Sequence, residues 1–217
     1  AGARAIAIVA PTGAGKTAIA AAVIQRHLER VPDARVLVVV PRLELAAQAA
    51  AALRACDLFV GVLAGGAAPE DLDAAAPVQV ATIQTLQQRE LRPPATLVVA
   101  DELHHYASPE WLPVLMDYRA TSLLLGLTAT PCRSDGRALG ELFDALVVAA
   151  TVRELTAARH LVPCEVIAPP QRVRALAREP VSAYLEYGRA ADGLLRRALF
   201  FARDVRHGRA LAERLRI

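Results

Sequence analysis

The sequence predicts a layered α/β fold built on a parallel sheet. Three observations carry that reading. Short apolar runs recur along the chain and are separated by stretches with helical spacing, the order expected of βαβ units. Most runs are continuous rather than alternating, as in strands buried on both faces of a sheet. Apolar residues make up 54% of the chain and aromatic residues 4%, so the core must rest on Leu, Val, Ile and Ala. Forty-six of the 217 residues are Ala, which inflates the apolar share because Ala buries little area.

The expected strands, in order, are Ala5–Ala10, Val36–Val40, Leu58–Leu63, Val78–Thr82, Leu97–Ala100, Leu123–Leu127 and Glu165–Ala168. The expected helices between them are Lys16–Arg30, Leu43–Arg54, a short one near Gln84–Arg89, Pro109–Tyr118 and Gly136–Leu146. Thr151 with Glu154 three residues on reads as a capping box for a short helix to about Arg159. The pattern breaks around Pro169-Pro170. From there to Glu179 the chain is polar and Pro-containing, as a linker would be. Beyond it the spacing predicts a helix over Val181–Arg196, a strand over Ala198–Ala202 and a helix over Asp204–Leu215. Three elements cannot make a parallel sheet alone. The expected division is one complete α/β domain over residues 1–168, a linker over 169–180, and the truncated start of a second domain over 181–217.

Composition narrows the function. No apolar stretch reaches the roughly 18–20 residues of a membrane span, and no basic segment precedes a long apolar one as in a secretory signal. Cys56, Cys132 and Cys164 are odd in number and contain no CxxC pair, which fits a reducing cytoplasm better than a disulfide framework or zinc site. The formal net charge of +3 permits a nucleic-acid partner without requiring one. Of 25 Lys and Arg residues, 24 are Arg; the exception is Lys16.

Lys16 closes the segment Ala10-Pro11-Thr12-Gly13-Ala14-Gly15-Lys16-Thr17, placed between a strand and a helix. Successive backbone N–H groups at a helix start hold phosphates, and the helix dipole favours negative charge there. Gly13 and Gly15 permit a tight turn. Lys16 supplies a compact ammonium for the outer phosphates, and the Thr17 hydroxyl is placed to ligate Mg²⁺. A chain of this composition matches the pattern by chance about once per thousand sequences. Its first position is Ala10 rather than Gly, a mild departure at the strand end.

Asp101-Glu102-Leu103-His104-His105 follows the run Leu97–Ala100. Ligands of parallel α/β sheets sit at the carboxyl ends of strands, so the two carboxylates should lie near the phosphate loop. An Asp there can hold Mg²⁺, and the adjacent Glu can orient or deprotonate an attacking water. His104 and His105 lack a third residue at metal-ligand spacing.

The blocks APTGAGKT, VVPRLELAAQ, LAGG, VATIQTL, DELHH and GLTATP, in that order, resemble the superfamily 2 DEAD/DEAH-box helicases and translocases. DELHH and TATPCRSDG are similar to the bacterial and phage DNA helicases related to XPB. The resemblance covers about residues 5–168 and reaches the second domain only through Leu199–His207. It implies a RecA-like P-loop NTPase domain, the start of a second such domain, and an ATP hydrolase that uses ATP and Mg²⁺. It also implies residue roles. Thr12, Gly13, Ala14, Gly15, Lys16 and Thr17 would hold nucleotide, and Thr17 with Asp101 would hold Mg²⁺. Glu102, Asp101, Lys16 and His104 would form the catalytic set, with His104, Thr128 and Thr130 coupling hydrolysis to strand movement. Pro41, Arg42, Gly65, Gly66 and Thr82 would touch the nucleic-acid backbone. Taken alone, Arg42 is equally a solvated helix-start residue, Gly65-Gly66 a plain turn and Thr82 a strand-end cap. Tyr106 and Trp111 are read as packing or rim residues. Arg133 and Asp135 are open between ion pairing and a nucleic-acid or interdomain contact, and Cys132 has no evident chemistry.

In the resembling family an arginine finger and an adenine-reading glutamine block would lie outside these residues, so the fragment is expected to be nearly inactive by itself. Leu199, Phe200 and Phe201 should then be exposed. DNA is the expected track, with RNA left open because the 2′-hydroxyl is read by details a sequence does not show. Two other readings remain: the motor of a restriction or remodelling-type translocase without strand separation, and a non-catalytic ATP- or nucleic-acid-binding module.

Overall fold

A computed structural model of the chain describes residues 2–67, 72–106, 109–130, 142–164, 180–190 and 192–215. Two compact units divide at Pro163/Cys164. The first unit is a seven-stranded, wholly parallel sheet. Its strands are β1 (Ala5–Val9), β2 (Val36–Val40), β3 (Val60–Leu63), β4 (Val78–Thr82), β5 (Leu97–Ala100), β6 (Leu123–Thr128) and β7 (Ala145–Val148), in the order β3-β4-β2-β5-β6-β1-β7. Five helices accompany them: α1 (Lys16–Arg30), α2 (Leu43–Arg54), α3 (Ile83–Gln88), α4 (Leu112–Arg119) and α5 (Val152–Ala157).

The central strands explain why continuous apolar runs were legible. All five residues of β2 are buried. Alternate side chains of a strand face opposite sides. Val36, Val38 and Val40 pack with Ala20, Ile24, Ala46, Ala50 and Leu53 of α1 and α2. Leu37 and Val39 pack on the other face with Ile83, Leu86, Val114 and Leu115 of α3 and α4. Each face is therefore covered, giving three layers. Fully burying one such side chain contributes about 1.5–3 kcal/mol.

The helix ends follow local chemistry. α1 stops at Arg30, with Val31 already extended before Pro32, a position from which proline excludes helical backbone. The capping box read at α5 is present: Thr151 Oγ1 accepts from Glu154 N–H, and Glu154 Oε2 accepts from Thr151 N–H at 2.7 Å. That helix ends at Ala157, two residues short of expectation, because Arg159 turns left-handed (φ 61°).

Three expectations are corrected. Residues 142–146 are not the end of a helix; Ala145–Val148 is edge strand β7, parallel to β1. Its Leu146, Val147 and Val148 are exposed, so this apolar run lacks the burial that marked the others. In the second unit, α6 (Pro180–Tyr187) does not continue to Arg196. It breaks at Gly188, and the chain turns back through Gly193 (φ 80°) with a bridge between Arg189 and Leu195. Residues 198–202 form no strand, since among the described residues of this unit no neighbouring strand offers a ladder. Leu199 and Phe201 are exposed, whereas Phe200 is half-buried with its ring 5.5 Å from that of Tyr184. The last helix, α7 (Val205–Arg214), is capped by Asp204, whose Oδ1 accepts from His207 N–H.

The run Glu165–Ala168, the linker through Glu179, and Pro131, Cys132, Arg133 and Asp135 lie outside the described residues. Among the described residues, no helix is long and apolar enough to cross a membrane.

Candidate functional site

Strand order places the sequence motifs along one edge of the sheet. The loop after β1, the acidic pair after β5 and Thr128 at the end of β6 occupy three neighbouring strands, β5-β6-β1. Pro41-Arg42, Gly65-Gly66 and Thr82 follow β2, β3 and β4, which form the adjoining group β3-β4-β2.

In the first group the loop turns tightly: Ala14 N–H donates to Pro11 O at 3.0 Å, and Gly13 and Gly15 have φ of 84° and 81°. Gly15 caps α1 with no side-chain bond, and the first turn of that helix contains no acidic residue. The opening amides of a helix have no intrahelical partner. Left without a cap, they are available to an anion. Lys16 is half-buried and its Nζ reaches Ala10 O at 3.5 Å; Thr17 is exposed one residue further on.

A chain of contacts joins this loop to the acidic pair. Ala10 N–H donates to Thr128 O at 2.9 Å. Thr128 Oγ1 lies 3.4 Å from His104 Nδ1, and that nitrogen lies 3.5 Å from Glu102 Oε2. Thr128 also donates to Thr130 O and accepts from Thr130 N–H, closing the turn after β6. Glu102 sits in left-handed backbone (φ 52°, ψ 51°), held by Asp101 Oδ1 accepting from its N–H at 2.9 Å. A non-glycine residue there costs on the order of 1–2 kcal/mol, and such strain clusters at functional positions.

Asp101 is half-buried. Desolvation pushes its carboxyl up from the ordinary value, outweighing the bond from Glu102 N–H and the attraction of Lys16 and His104; the Glu102 charge adds to the rise. Burial likewise lowers the His105 imidazole, and His104, with its ring centroid 4.2 Å away, pulls the same way. Tyr106 is fully buried, and its hydroxyl has no hydrogen-bond partner among the described residues. Burial, reinforced by Asp101 and Glu102, raises its phenol well above the usual range.

One contributor was missed in the sequence. Gly126, inside β6, lies under this site; a Cβ there would stand 2.6 Å from Phe143 Cζ and 2.7 Å from Leu103 Cδ2. Glycine is what allows the single helical turn Leu103–His105 to sit down on the sheet. A glycine within an apolar run is the sequence signal for such close approach.

The second group encloses a cleft of about 400 Å³ lined in part by Pro41, Arg42, Gly65, Thr82, Gln84 and Thr85. Arg42 is exposed and caps α2 without a side-chain bond. The positions of the two glycines have different causes. Gly66 has φ 81°, whereas Gly65 has neither a positive φ nor any atom within 4 Å of a Cβ built on it. Thr82 is buried, and its hydroxyl caps α3 through Thr85 N–H while bonding Thr85 Oγ1 at 2.8 Å. Gln84, Thr85 and Gln88 line this cleft without having been singled out in the sequence.

Comparison with known proteins follows these features. The DNA 3′-5′ translocase XPB2 of Sulfurisphaera tokodaii is 34% identical over 143 residues, covering 64% of this chain and 30% of that protein. The chain thus spans under a third of that relative's length. Among solved structures, the Pyrococcus furiosus Hef helicase domain matches 67% of this chain and 34% of its own, at 26% identity and a TM-score of 0.55. The UvsW helicase of bacteriophage T4 matches 67% of this chain and 54% of its own, at 24% identity and a TM-score of 0.57. The first unit has the RecA-like fold of these superfamily 2 helicases. Residues 1–133 match the family described as type III restriction enzyme, res subunit, and that span includes both groups of strands along with the edge they share. Since the match takes in well over half of the 217 residues, the chain belongs to that family.

Proposed function

We propose that the chain is the ATP-binding part of an ATP-driven nucleic-acid motor, with DNA as the track. The observation that carries the reading is the adjacency on one sheet edge of the uncapped phosphate-loop group, β5-β6-β1, and the Arg42 cleft, β3-β4-β2. Nucleotide phosphates lie in the first, against the amides of Thr12, Gly13, Ala14 and Gly15, with Lys16 on the outer phosphates. The charge there is held by a compact ammonium rather than a guanidinium.

Thr17 and Asp101 supply a hydroxyl and a carboxylate, the hard oxygen donors that Mg²⁺ takes. Asp101 fits that role because its desolvation outweighs the attraction of Lys16 and His104, leaving a carboxylate that a cation would favour. A bound Mg²⁺ would neutralise charge on the terminal phosphates. Glu102 orients the attacking water and accepts its proton. His104 bridges Glu102 to Thr128, so a change at the acid reaches the Thr128–Thr130 turn and the loop bonded to it at Ala10. Arg42, Gly65 and Gly66 face the backbone of the strand being moved, a contact independent of base sequence, while Thr82 shapes the cleft through its cap on α3. Residues 181–217 are read as the opening of a second RecA-like domain, a unit in which Leu199 and Phe201 are exposed.

The test is ATP turnover by the intact protein with and without single-stranded DNA. Turnover is expected to rise with DNA. Glu102→Gln should lower it by about 10²–10⁴ while leaving nucleotide binding intact. Turnover unchanged by Glu102→Gln would favour a binding module instead.

A further inference from the structure

The first turn of α3 reaches into both other blocks of the cleft. Gln84 Nε2 donates to Pro41 O at 2.7 Å, across 43 residues of sequence. Thr85 Oγ1 accepts from Gly65 N–H at 3.2 Å, across 20 residues, and bonds Thr82 Oγ1 within its own turn. Thr85 is buried, and its bond to the exposed Gly65 is half-buried. Pro41 is the first residue beyond the paired part of β2, whose last register partner is Val40 with Thr82. Its carbonyl is thus the first group of that turn no longer held by the strand ladder, and Gln84 holds it instead. Because a peptide unit is planar, fixing the Pro41 carbonyl fixes the plane from which Arg42 departs. Arg42 itself is exposed, extended (φ −145°, ψ 154°) and without a side-chain cap.

We propose that Gln84 is a positioning residue. It latches the Pro41–Arg42 turn to the start of α3 and so sets the Arg42 guanidinium over the cleft for a polyanionic backbone, while Thr85 holds Gly65 on the other side. This rests on the nucleic-acid reading above. Gln84 acts through Arg42 rather than by touching the strand, and this separates it from a plain cleft-lining residue.

The experiment is anisotropy titration of a fluorescein-labelled 20-nucleotide oligothymidine with the 217-residue chain, repeated from low to moderate salt. Each phosphate contact made by a cation contributes about 0.7 to the log–log salt slope for a single strand. Arg42→Ala should lower the slope by about that amount. Gln84→Met keeps the length of the side chain and removes the donor. It should weaken binding on the order of fivefold, the scale of one net hydrogen bond, and lower the slope in the same direction. Gln84→Glu, which turns a carboxylate toward a carbonyl, should do so more strongly. In the Arg42→Ala background, Gln84→Met should change nothing further. Thermal melting of each variant checks that the fold is kept.

Additive loss in the double variant, or a Gln84→Met effect with an unchanged salt slope, would overturn the latch. So would wild-type affinity in Gln84→Met beside weakened binding in Arg42→Ala, and there the nucleic-acid reading itself survives. Failure of the wild-type chain to retain the oligonucleotide at low salt would instead sink that reading and the latch with it.

Discussion

The two halves of the sheet edge are built differently. The β5-β6-β1 half is made of short local segments, each carrying its own unsatisfied chemistry: an uncapped helix start at Gly15, a desolvated carboxyl at Asp101, and strained backbone at Glu102. The described cleft of the β3-β4-β2 half is lined by one cation, Arg42, one carboxylate, Glu44, and neutral groups tied together over 20 and 43 residues by Thr85 and Gln84. A segment that advertises unsatisfied groups can be read from a sequence window. A cleft assembled by long-range side-chain bonds cannot.

Substitutions that act on one half and spare the other sharpen this contrast. The largest stability effect is expected at Gly126→Ala, which drives a methyl into Leu103 and Phe143. Overpacking of this kind costs about 1–3 kcal/mol. It should also displace His104, so turnover should fall while oligonucleotide binding by the other half persists. Denaturant unfolding beside anisotropy reads both.

Asp101→Asn should have a smaller effect, of opposite sign. The Asp101 carboxyl is raised in the folded chain, so the folded state holds its proton more tightly than the unfolded one. Apo stability therefore falls as pH climbs from the ordinary carboxylate range through the raised value, and the penalty is complete above it. Asn removes that penalty. The variant should melt higher than wild type at neutral pH, with the gap closing in acid, and Mg²⁺ with nucleotide should stabilise it less. A variant that melts lower than wild type at neutral pH would contradict the assigned burial cost.

The smallest effect is expected at Gly65→Ala. Nothing among the described residues requires glycine there, so Ala should stabilise the chain by about 0.4–1 kcal/mol through the unfolded state. Yet it should weaken oligonucleotide binding, because the space above Gly65 is where a backbone would approach. Unweakened binding would reduce Gly65-Gly66 to a turn.

What was legible follows the same division. β2 was placed to the residue by a continuous buried run closed by Pro41, and α1 by its helical spacing and its stop before Pro32. The Thr151–Glu154 box was read correctly because a cap is local chemistry. Ala145 and Leu146 of β7 were misread as the end of a helix because an exposed edge strand lacks the burial pattern that identifies its neighbours. The run 198–202 was read as a strand on apolar content alone, and ladder bonds depend on partners that a run does not contain. In the cleft, Arg42, Gly65 and Thr82 were singled out by resemblance, while Gln84 and Thr85 were not. The hydroxyl of Thr82 is committed to capping α3, a use the sequence left open beside phosphate contact.

The phosphate loop is closed by Lys16, the one ammonium among 25 Lys and Arg side chains. The direct measurement is ATP turnover by the intact protein, with and without single-stranded DNA, for wild type and Lys16→Arg. That substitution keeps the charge and follows the composition of the rest of the chain. The account predicts DNA-stimulated turnover in wild type and its abolition in Lys16→Arg. Near-normal turnover in Lys16→Arg would contradict a phosphate site built around that ammonium.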